Sequence, residues 1–300
     1  MNSNKKEFQD KLRTLHLPSS TKVGVLLLHG LTGMPNEMRP IGKALEKIGC
    51  TTETPMLPGH GATHKELLDS GWKDWVRGSG EALERLSSNC DQVFVAGLSM
   101  GALIPVLLAV DNPKVKGIIA MSPTVKYDSQ NSSNPFQVLL PLIDVLPFLG
   151  RIFYWTEAPP YGLKDERLQK RITKELEAAR SGEKTGFGQF RTYSGSLRQL
   201  QHLVGQVKKQ APRLQCPVLI MHSKEDTLTT VYNPQTFHSW LGCTDKSIIY
   251  LEGCDHVLPL DLKKEEVAFY AAEFVCRVAK ANASAAPSAA AATNNAAPVS

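Results

Sequence analysis

The sequence predicts an α/β fold with a mostly parallel sheet, helices on both faces and one helical insertion. Short apolar runs alternate with amphipathic segments over residues 22–123, and the alternation resumes over 212–280. Between these parts, residues 124–211 contain no apolar run typical of a buried strand. Such alternation produces a parallel sheet covered on both faces, and a chain of 300 residues suits one large domain with an insertion.

The first half of this core follows a polar segment, residues 1–21, which we expect to form a loose arm. Residues 23–28 are apolar throughout and are predicted to form a central strand. The helix that follows has an apolar face (Met38, Ile41, Leu45 and Ile48) and ends at Gly49. The next predicted elements are a short strand at 50–54, a helix from 72 to about 89, a strand at 93–96, a helix at 100–110 and a strand at 115–121.

The insertion, residues 124–211, is predicted to be a helical cap. Two stripes of apolar residues at helical spacing support this, one formed by Leu168, Ile172, Leu176 and Ala179 and the other by Leu197, Leu200, Val204 and Val207. Because the insertion follows a strand, it starts at the sheet edge where open α/β folds bind ligands. A helical domain remote from that edge is the alternative.

The second half of the core contains predicted strands at 217–222 and 247–251 and a closing helix from 261 to about 280. Residues 281–300 contain ten alanines and no charged residue. This composition predicts a low-complexity, disordered tail, and the sequence does not reveal its purpose.

Composition excludes several classes of protein. The formal charge is +5, and no block of Lys and Arg is dense enough for a nucleic-acid site. The six cysteines lack the spacing of a zinc site, and the N-terminus lacks the apolar core of a signal peptide. We expect a cytoplasmic protein with free thiols and no metal, although a Cys243–Cys254 bridge stays open. The longest apolar stretch, residues 138–155, contains Asp144 and Arg151, which argues against a membrane span.

A serine stands between two glycines where a predicted strand meets a predicted helix. Residues 97–101 read Gly-Leu-Ser-Met-Gly, the G-x-S-x-G pattern of a nucleophile at a tight strand-to-helix turn. A side chain at Gly97 or Gly101 would collide with the opposite backbone in such a turn. The turn would lift the Ser99 hydroxyl above the sheet and leave the Met100 N–H free at a helix N-terminus. A β-α turn with an incidental serine is the alternative.

A serine hydroxyl needs a base to accept its proton, and His256 is the predicted base. This histidine directly follows the last predicted strand and precedes the closing helix. The other candidates lack this position: one lies in a turn, one in a polar loop, one on a cap helix and one at a strand end (His60, His64, His202 and His222).

The base in turn needs a carboxylate to orient it, and Asp226 is the predicted acid. It lies in the loop after strand 217–222, so Ser99, Asp226 and His256 follow the chain order expected for this kind of nucleophile turn. Glu225 and Asp255 are the alternatives. Asp255 adjoins His256, and adjacent side chains in an extended loop usually diverge, which favours Asp226.

A serine that attacks a carbonyl group also requires two donors for the oxyanion that forms on the substrate. The backbone N–H of Met100 is one candidate, and the loop after strand 23–28 supplies the other through the N–H of Leu31. We expect His29 to support this loop rather than to take part in the reaction.

Together these residues resemble a serine α/β-hydrolase of the carboxylesterase and monoacylglycerol lipase branch. The matching stretches are 27–33, 57–61, 97–101, 225–226 and 255–257, and the resemblance extends over about residues 22–280. It implies Ser99 as the nucleophile, Asp226 as the acid and His256 as the base. It further implies an oxyanion hole formed by the N–H groups of Leu31 and Met100.

The chain departs from the family pattern at two places. Ala102 stands where many relatives have a second glycine, and Cys254-Asp255 stands where relatives often have a glycine before the histidine. Neither departure removes a reacting group. The additional carboxylate of Asp255 beside His256 is expected to alter the basicity of that histidine.

We therefore expect an enzyme that hydrolyses small to medium-chain monoesters, with monoacylglycerols as candidates, without any cofactor. The cap region is rich in aromatic residues, which either line an apolar acyl pocket or only attach the cap to the core (Phe136, Phe148, Phe153, Tyr154, Trp155 and Phe187). Acyl transfer, lactone opening and amide hydrolysis use the same triad. A non-catalytic protein that binds a small molecule is a further alternative, disfavoured because every reacting group is present.

Overall fold

The structure, a computed structural model, describes residues 2–19, 21–61, 63–128, 135–180 and 191–285. Its strands are β1 (Val23–Leu28), β2 (Thr51–Glu53), β3 (Gln92–Leu98), β4 (Val115–Met121), β5 (Tyr154–Thr156), β6 (Arg191–Tyr193), β7 (Val218–Ser223) and β8 (Lys246–Leu251). Six of these described strands form one sheet in the order β2-β1-β3-β4-β7-β8. Every pairing in it is parallel, which confirms the predicted fold class.

The order of the strands reverses between β1 and β3. The chain passes from β1 to the edge strand β2 and then returns to β3 on the other side of β1. In open parallel sheets, ligands bind beyond the carboxyl ends of the strands at such a reversal. Because Leu28 at the end of β1 pairs with Gly97 near the end of β3, the loops that follow these two strands start side by side.

Helices cover both faces of the sheet. The described α-helices of the chain are α1 (Asn2–Arg13), α2 (Arg39–Lys47), α3 (His64–Asp69), α4 (Trp72–Ser87), α5 (Ile104–Ala109), α6 (Leu149–Ile152), α7 (Glu166–Arg180), α8 (Ser194–Gln210), α9 (Tyr232–Trp240) and α10 (Lys264–Ala285). Successive residues of β1 enter different cores, since Leu26 packs with side chains of α4, α5 and α8, whereas Leu27 packs with those of α2 and α10. Burial on both faces is why β1 is apolar throughout.

The inserted segment contains helices, as expected, together with two strands that the sequence did not predict. Strands β5 and β6 pair antiparallel, with Tyr154 opposite Tyr193. Three residues are too few to show the alternation by which strands are recognised. A 3-10 helix over Pro135–Asp144 and helices α6, α7 and α8 form the rest of the described insertion.

The N-terminal segment is a helix where a loose arm was expected. Leu12 of α1 is buried, and the ring of Phe8 lies 5.6 Å from the ring of Phe269 on α10. Phe8 and Leu12 are four residues apart and therefore share one helix face. The many charged residues around them obscured this short pattern.

Three further elements differ from the sequence-based expectation. Helix α9 was not predicted, and the segment expected as a helix at 100–110 is a 3-10 helix over Ser99–Ala102 followed by α5. His64, expected in a polar loop, begins α3. Thr63 and Glu66 form a capping box at this helix, a pattern that the sequence does contain.

All six cysteines are free thiols, so Cys243 and Cys254 form no disulfide. No helix within the described part of the chain is long and apolar enough to span a membrane. Helix α10 extends to Ala285, and the rest of the predicted tail lies outside the described residues.

Candidate active site

Ser99 lies at a tight turn between β3 and the 3-10 helix that follows it. Its φ angle is +57°, in the left-handed region that residues other than glycine rarely adopt. A Cβ atom at Gly97 would lie 1.9 Å from the carbonyl oxygen of Gly101, and one at Gly101 would lie 2.4 Å from that of His29. Both glycines are therefore required, as the sequence predicted. This strained geometry is typical of a nucleophile at a strand-to-helix turn.

The loop after β1 packs against this turn. A Cβ atom at Gly30 would lie 3.4 Å from the Cβ of Ser99, so the loop backbone and the serine side chain are neighbours. Thr32 has a φ angle of +63°, and its hydroxyl donates to the Leu31 carbonyl oxygen at 2.5 Å. The peptide after Leu31 is therefore held in place beside Ser99.

His29 supports this loop from beneath, as predicted. Its Nε2 accepts a hydrogen bond from the Leu57 N–H at 3.1 Å, and its Nδ1 therefore donates to the Gly30 carbonyl oxygen at 2.9 Å. Burial, reinforced by the neighbouring His60, lowers the pKa of His29 to about 3. The ring is thus neutral and acts as a fixed link between the loop and residue 57.

Glu37 binds the same loop from its far end. Its Oε1 accepts a hydrogen bond from the Met34 N–H at 3.2 Å, and the backbone of Gly30 also hydrogen-bonds to this carboxyl group. Burial raises the pKa of Glu37 to about 8. The carboxyl group therefore joins the two ends of the loop that contains Leu31.

A second carboxyl group, Glu157, reaches the loop from the insertion. It accepts hydrogen bonds from the hydroxyl of Thr32 at 3.2 Å and from that of Thr192 at 3.4 Å. Burial raises its pKa, and the nearby His256 opposes that rise. Glu157 thus links the inserted segment, the loop after β1 and the surroundings of His256.

The His256 ring and the Asp226 carboxylate are in direct contact. His256 Nδ1 lies 2.7 Å from Asp226 Oδ2, and both side chains are buried. Asp226 Oδ1 also accepts the backbone N–H groups of Leu228 and Thr229, at 2.8 and 2.7 Å. These contacts fix the carboxylate in the loop after β7.

Charge and burial act in opposite directions on this pair. Burial alone would raise the pKa of Asp226, but the His256 ring holds it below its ordinary value. Burial alone would lower the pKa of His256, but Asp226 raises it above its ordinary value. The carboxylate therefore strengthens the imidazole as a base.

Neither alternative acid touches the His256 ring. Glu225 is paired with Lys164 and accepts the Gly253 N–H at 2.7 Å. Asp255 accepts the Thr227 N–H and the backbone N–H of His256, both at 2.7 Å. Of these three carboxylates, Asp226 is thus the one that the fold brings to the ring.

The other candidate histidines have structural surroundings. His60 packs against His29 and Trp75, and His64 begins α3. His202, on α8, lies 3.3 Å from Asp144, and His222 Nε2 lies 3.6 Å from Asp226 Oδ2. Among the described histidines, only His256 lies within hydrogen-bond distance of Asp226 Oδ2.

Ser99 contacts a residue that the sequence analysis did not single out. Its Oγ lies 2.9 Å from Thr124 Oγ1, and the hydrogen bonds of the described residues do not include one from Ser99 directly to His256. Ser122 connects the two regions, because its hydroxyl donates to the His256 carbonyl oxygen at 2.8 Å. Catalytic hydrogen bonds often shorten only when substrate is bound.

Thr124, Glu37 and Glu157 were missed for different reasons. Thr124 follows β4, whose end lies beside that of β3, so its position after a central strand was an available signal. Glu37 and Glu157 carry no motif and reach the site only through the tertiary fold. No group of His, Cys, Asp and Glu within the described ranges could hold a metal ion.

The aromatic residues expected around an acyl pocket are dispersed. Phe148 and Tyr154 are 55% and 42% exposed, whereas Trp155 packs against the core beneath the insertion. Phe187 and the side chain of Phe136 lie outside the described residues. At least part of this set therefore faces solvent.

Comparison with known proteins extends these observations. The chain is 31% identical over 256 residues to a thermostable monoacylglycerol lipase of Bacillus sp. (strain H-257), covering 85% of this chain and 91% of that enzyme. It is 24% identical over 245 residues to a carboxylesterase of Bacillus subtilis (strain 168), covering 81% of this chain and 88% of that enzyme.

Solved structures and family models agree with these relatives. A structure reported for the metagenome-derived lipolytic enzymes LipS and LipT matches with a TM-score of 0.69 at 26% identity, over 87% of this chain and 99% of that one. The model of the family described as serine aminopeptidase, S33, matches residues 19–263. The chain therefore belongs to this family of α/β-hydrolases and is a serine esterase of the monoacylglycerol lipase and carboxylesterase type.

Proposed function

We propose that this esterase hydrolyses small to medium-chain monoesters, monoacylglycerols included, through a Ser99-Asp226-His256 triad and an acyl-Ser99 intermediate. The 2.7 Å contact between His256 Nδ1 and Asp226 Oδ2 is the observation that carries the proposal. It joins the imidazole and the carboxylate that a serine nucleophile requires. We propose in addition that residues 124–211 act as a cap over this site, on a core formed by 22–123 and 212–280.

In the first half of the reaction, Ser99 Oγ attacks the ester carbonyl carbon while His256 Nε2 accepts the serine proton. The charge that forms on the carbonyl oxygen is stabilised by the N–H groups of Leu31 and Met100. Asp226 stabilises the imidazolium, which then protonates the departing alcohol. In the second half, His256 takes a proton from water as the water oxygen bonds to the acyl carbon. The imidazolium then gives this proton to Ser99 Oγ as the Oγ–carbon bond breaks, which releases the acid and restores the enzyme.

The position of Glu157 favours esters whose leaving group is a polar alcohol. Its carboxyl group hydrogen-bonds to Thr32, directly after the proposed donor Leu31, and lies close enough to His256 to affect its charge. A carboxyl group at this place offers hydrogen bonds to free hydroxyls on the alcohol portion of an ester. A glyceryl group has two such hydroxyls, whereas a methyl group has none.

A comparison of matched substrates tests the reaction. We expect 1-monooctanoylglycerol and p-nitrophenyl octanoate to be hydrolysed, and octanoyl p-nitroanilide, the corresponding amide, to react far more slowly. Ser99→Ala should lower kcat by at least about a thousandfold because the attacking atom is lost. Ser239→Ala, at an exposed position of α9, is the control and should retain full activity. Undiminished hydrolysis by Ser99→Ala would refute the proposed nucleophile.

A second measurement addresses substrate choice. Glu157→Gln should lower kcat/KM for 1-monooctanoylglycerol by about tenfold, and for methyl octanoate by less than about threefold. Equal losses on both esters would mean that Glu157 does not contact the alcohol. Across a series of p-nitrophenyl esters from acetate to palmitate, we expect kcat/KM to be highest at medium chain length.

A further inference from the structure

The hydroxyl groups of Ser99 and Thr124 form a buried pair. Ser99 Oγ and Thr124 Oγ1 are 2.9 Å apart, and the two residues are 5% and 0% exposed. The hydroxyl oxygen of the proposed nucleophile therefore has a protein partner outside the triad. The functional role of this partner follows from where Thr124 is held and where its one hydroxyl hydrogen can point.

Thr124 is fixed from both sides along the chain. On one side, Ser122 donates its N–H to Met221 of β7 at 2.8 Å and its hydroxyl to the His256 carbonyl oxygen at 2.8 Å. On the other side, the N–H of Val125 donates to the buried Asn233 Oδ1, also at 2.8 Å. The threonine is thus anchored to the loop that carries the base, to β7 and to α9.

The Thr124 hydroxyl has one hydrogen and two acceptors within reach. The Ser122 carbonyl oxygen lies 3.2 Å from Thr124 Oγ1, and Ser99 Oγ lies 2.9 Å from it. When the hydrogen points to Ser122, Ser99 can donate its own proton to Thr124. When Ser99 has lost its proton, its Oγ can only accept, and the Thr124 hydrogen must turn toward it.

We propose that Thr124 is a positioning residue that donates a hydrogen bond to Ser99 Oγ whenever that oxygen carries negative charge. This inference rests on the proposed function, in which Ser99 is the nucleophile. Charge builds on Oγ twice: when its proton passes to His256 Nε2 as Oγ bonds to the carbonyl carbon, and when the Oγ–carbon bond breaks as water releases the acid. Thr124 keeps its own proton throughout both steps.

Tyr127 brings a second hydroxyl to the same oxygen. The Ser99 side chain hydrogen-bonds to the Tyr127 phenol, while burial raises the pKa of that phenol and keeps it protonated. A neutral phenol and a neutral threonine hydroxyl next to one oxygen stabilise charge on it without introducing a competing base. Tyr127 therefore provides an independent comparison with Thr124.

The test compares Thr124→Val, which keeps the shape but lacks the hydroxyl, with Thr124→Ser, which keeps the hydroxyl. With p-nitrophenyl octanoate, Thr124→Val should lower kcat by about tenfold or more, because a hydrogen bond to a charged atom is lost, and should change KM by less than about twofold. Thr124→Ser should retain kcat within about threefold. Tyr127→Phe should give a smaller loss than Thr124→Val, because it leaves the 2.9 Å threonine contact intact.

The rate of inactivation by a fluorophosphonate gives a second readout, since its attack step also places charge on Ser99 Oγ. It should fall in Thr124→Val by a factor similar to kcat. Thermal unfolding checks that each variant is folded, and Thr124→Ala replaces Thr124→Val if the valine does not fit.

Two outcomes would overturn the inference. One is a wild-type rate in Thr124→Val, or in the Thr124→Ala variant that replaces it. The other is an equal loss in Thr124→Ser and Thr124→Val. Ser99→Ala is measured in parallel. Its retention of activity would reject the proposed function itself, whereas an inactive Ser99→Ala beside a fully active Thr124→Val would reject only the role of Thr124.

Discussion

A buried carboxylate next to the proposed base, Asp255, influences His256 without touching its ring. Asp255 Oδ1 accepts the N–H groups of Thr227 and His256, both at 2.7 Å, and Oδ2 accepts the Thr227 hydroxyl at 2.8 Å. Thr227 adjoins Asp226, so Asp255 ties the acid loop to the base loop. Its charge also contributes to the raised pKa of His256.

We expect Asp255→Asn to shift the acidic limb of the pH–rate profile to lower pH. His256 must be neutral to accept a proton, and it loses activity as it becomes protonated below its pKa. Removing the charge of Asp255 removes one cause that raises that pKa, so the ring stays neutral to lower pH. The measurement is kcat/KM for p-nitrophenyl octanoate against pH.

The control for this variant is Glu252→Gln, which removes an exposed carboxylate paired with Lys224. Its acidic limb should coincide with that of the wild type. An unmoved or alkaline-shifted limb in Asp255→Asn would contradict the assigned influence on His256.

At this scale, the sequence predicted residues that belong to a motif and missed those that do not. Asp226 was preferred to Asp255 because adjacent side chains diverge, and the contact of Asp226 with the His256 ring agrees with that preference. Thr124 and Glu157 have residue types found in any loop. Glu157 reaches Thr32 only through the packing of distant segments, whereas the place of Thr124 directly after β4 was a signal that the sequence did contain.

Among the elements, the turn that carries Ser99 is the most constrained. We expect Gly97→Ala to lower the free energy of unfolding by about 3 kcal/mol or more, since its Cβ would lie 1.9 Å from the Gly101 carbonyl oxygen and backbone cannot move aside cheaply. Urea denaturation measures this loss. A Gly97→Ala protein of wild-type stability would contradict the geometry of the turn.

Gly205→Ala is the matched control. Gly205 lies within α8, and no atom would come within 4 Å of an added Cβ. Alanine is the better helix former, so this variant should gain about 0.5–1 kcal/mol in the same measurement.

Elements with a strong pattern were predicted and elements without one were not. Strand β1 was predicted at its observed bounds, because a buried parallel strand is an unbroken apolar run. Strands β5 and β6 are half-exposed and three residues long, and α1 shows few apolar residues among many charges. Their positions depend on partners that lie far away in the sequence.

On the scale of the whole molecule, one buried carboxylate joins the insertion to the base loop. Asp261 accepts the N–H groups of Lys164 and Asp165, each at 2.9 Å, and that of Asp255 at 2.6 Å. The first two residues follow the β5 region of the insertion, and the third precedes His256. Movement of the inserted segment is therefore restrained at the site itself.

We expect Asp261→Ala to lower the free energy of unfolding by about 3 kcal/mol, since three backbone N–H groups, one buried and two partly buried, lose their acceptor. It should also reduce kcat, because the His256 loop loses a support. Urea denaturation and ester hydrolysis measure the two effects. Asp245→Ala, which removes an exposed partner of Arg277, should cost less than about 1 kcal/mol. Equal stability of the two variants would contradict the role of Asp261.

The order of strands in the sheet determines when the enzyme can become active during its synthesis. Ser99 follows the central strand β3, whereas His256 follows β8, the edge strand that is synthesised last. A chain still emerging from the ribosome contains Ser99 long before it contains His256, the proposed base. Under the proposed triad, the nascent polypeptide cannot cleave esters. Activity begins only after β8, the last of the described strands, has joined the sheet and brought His256 to the site.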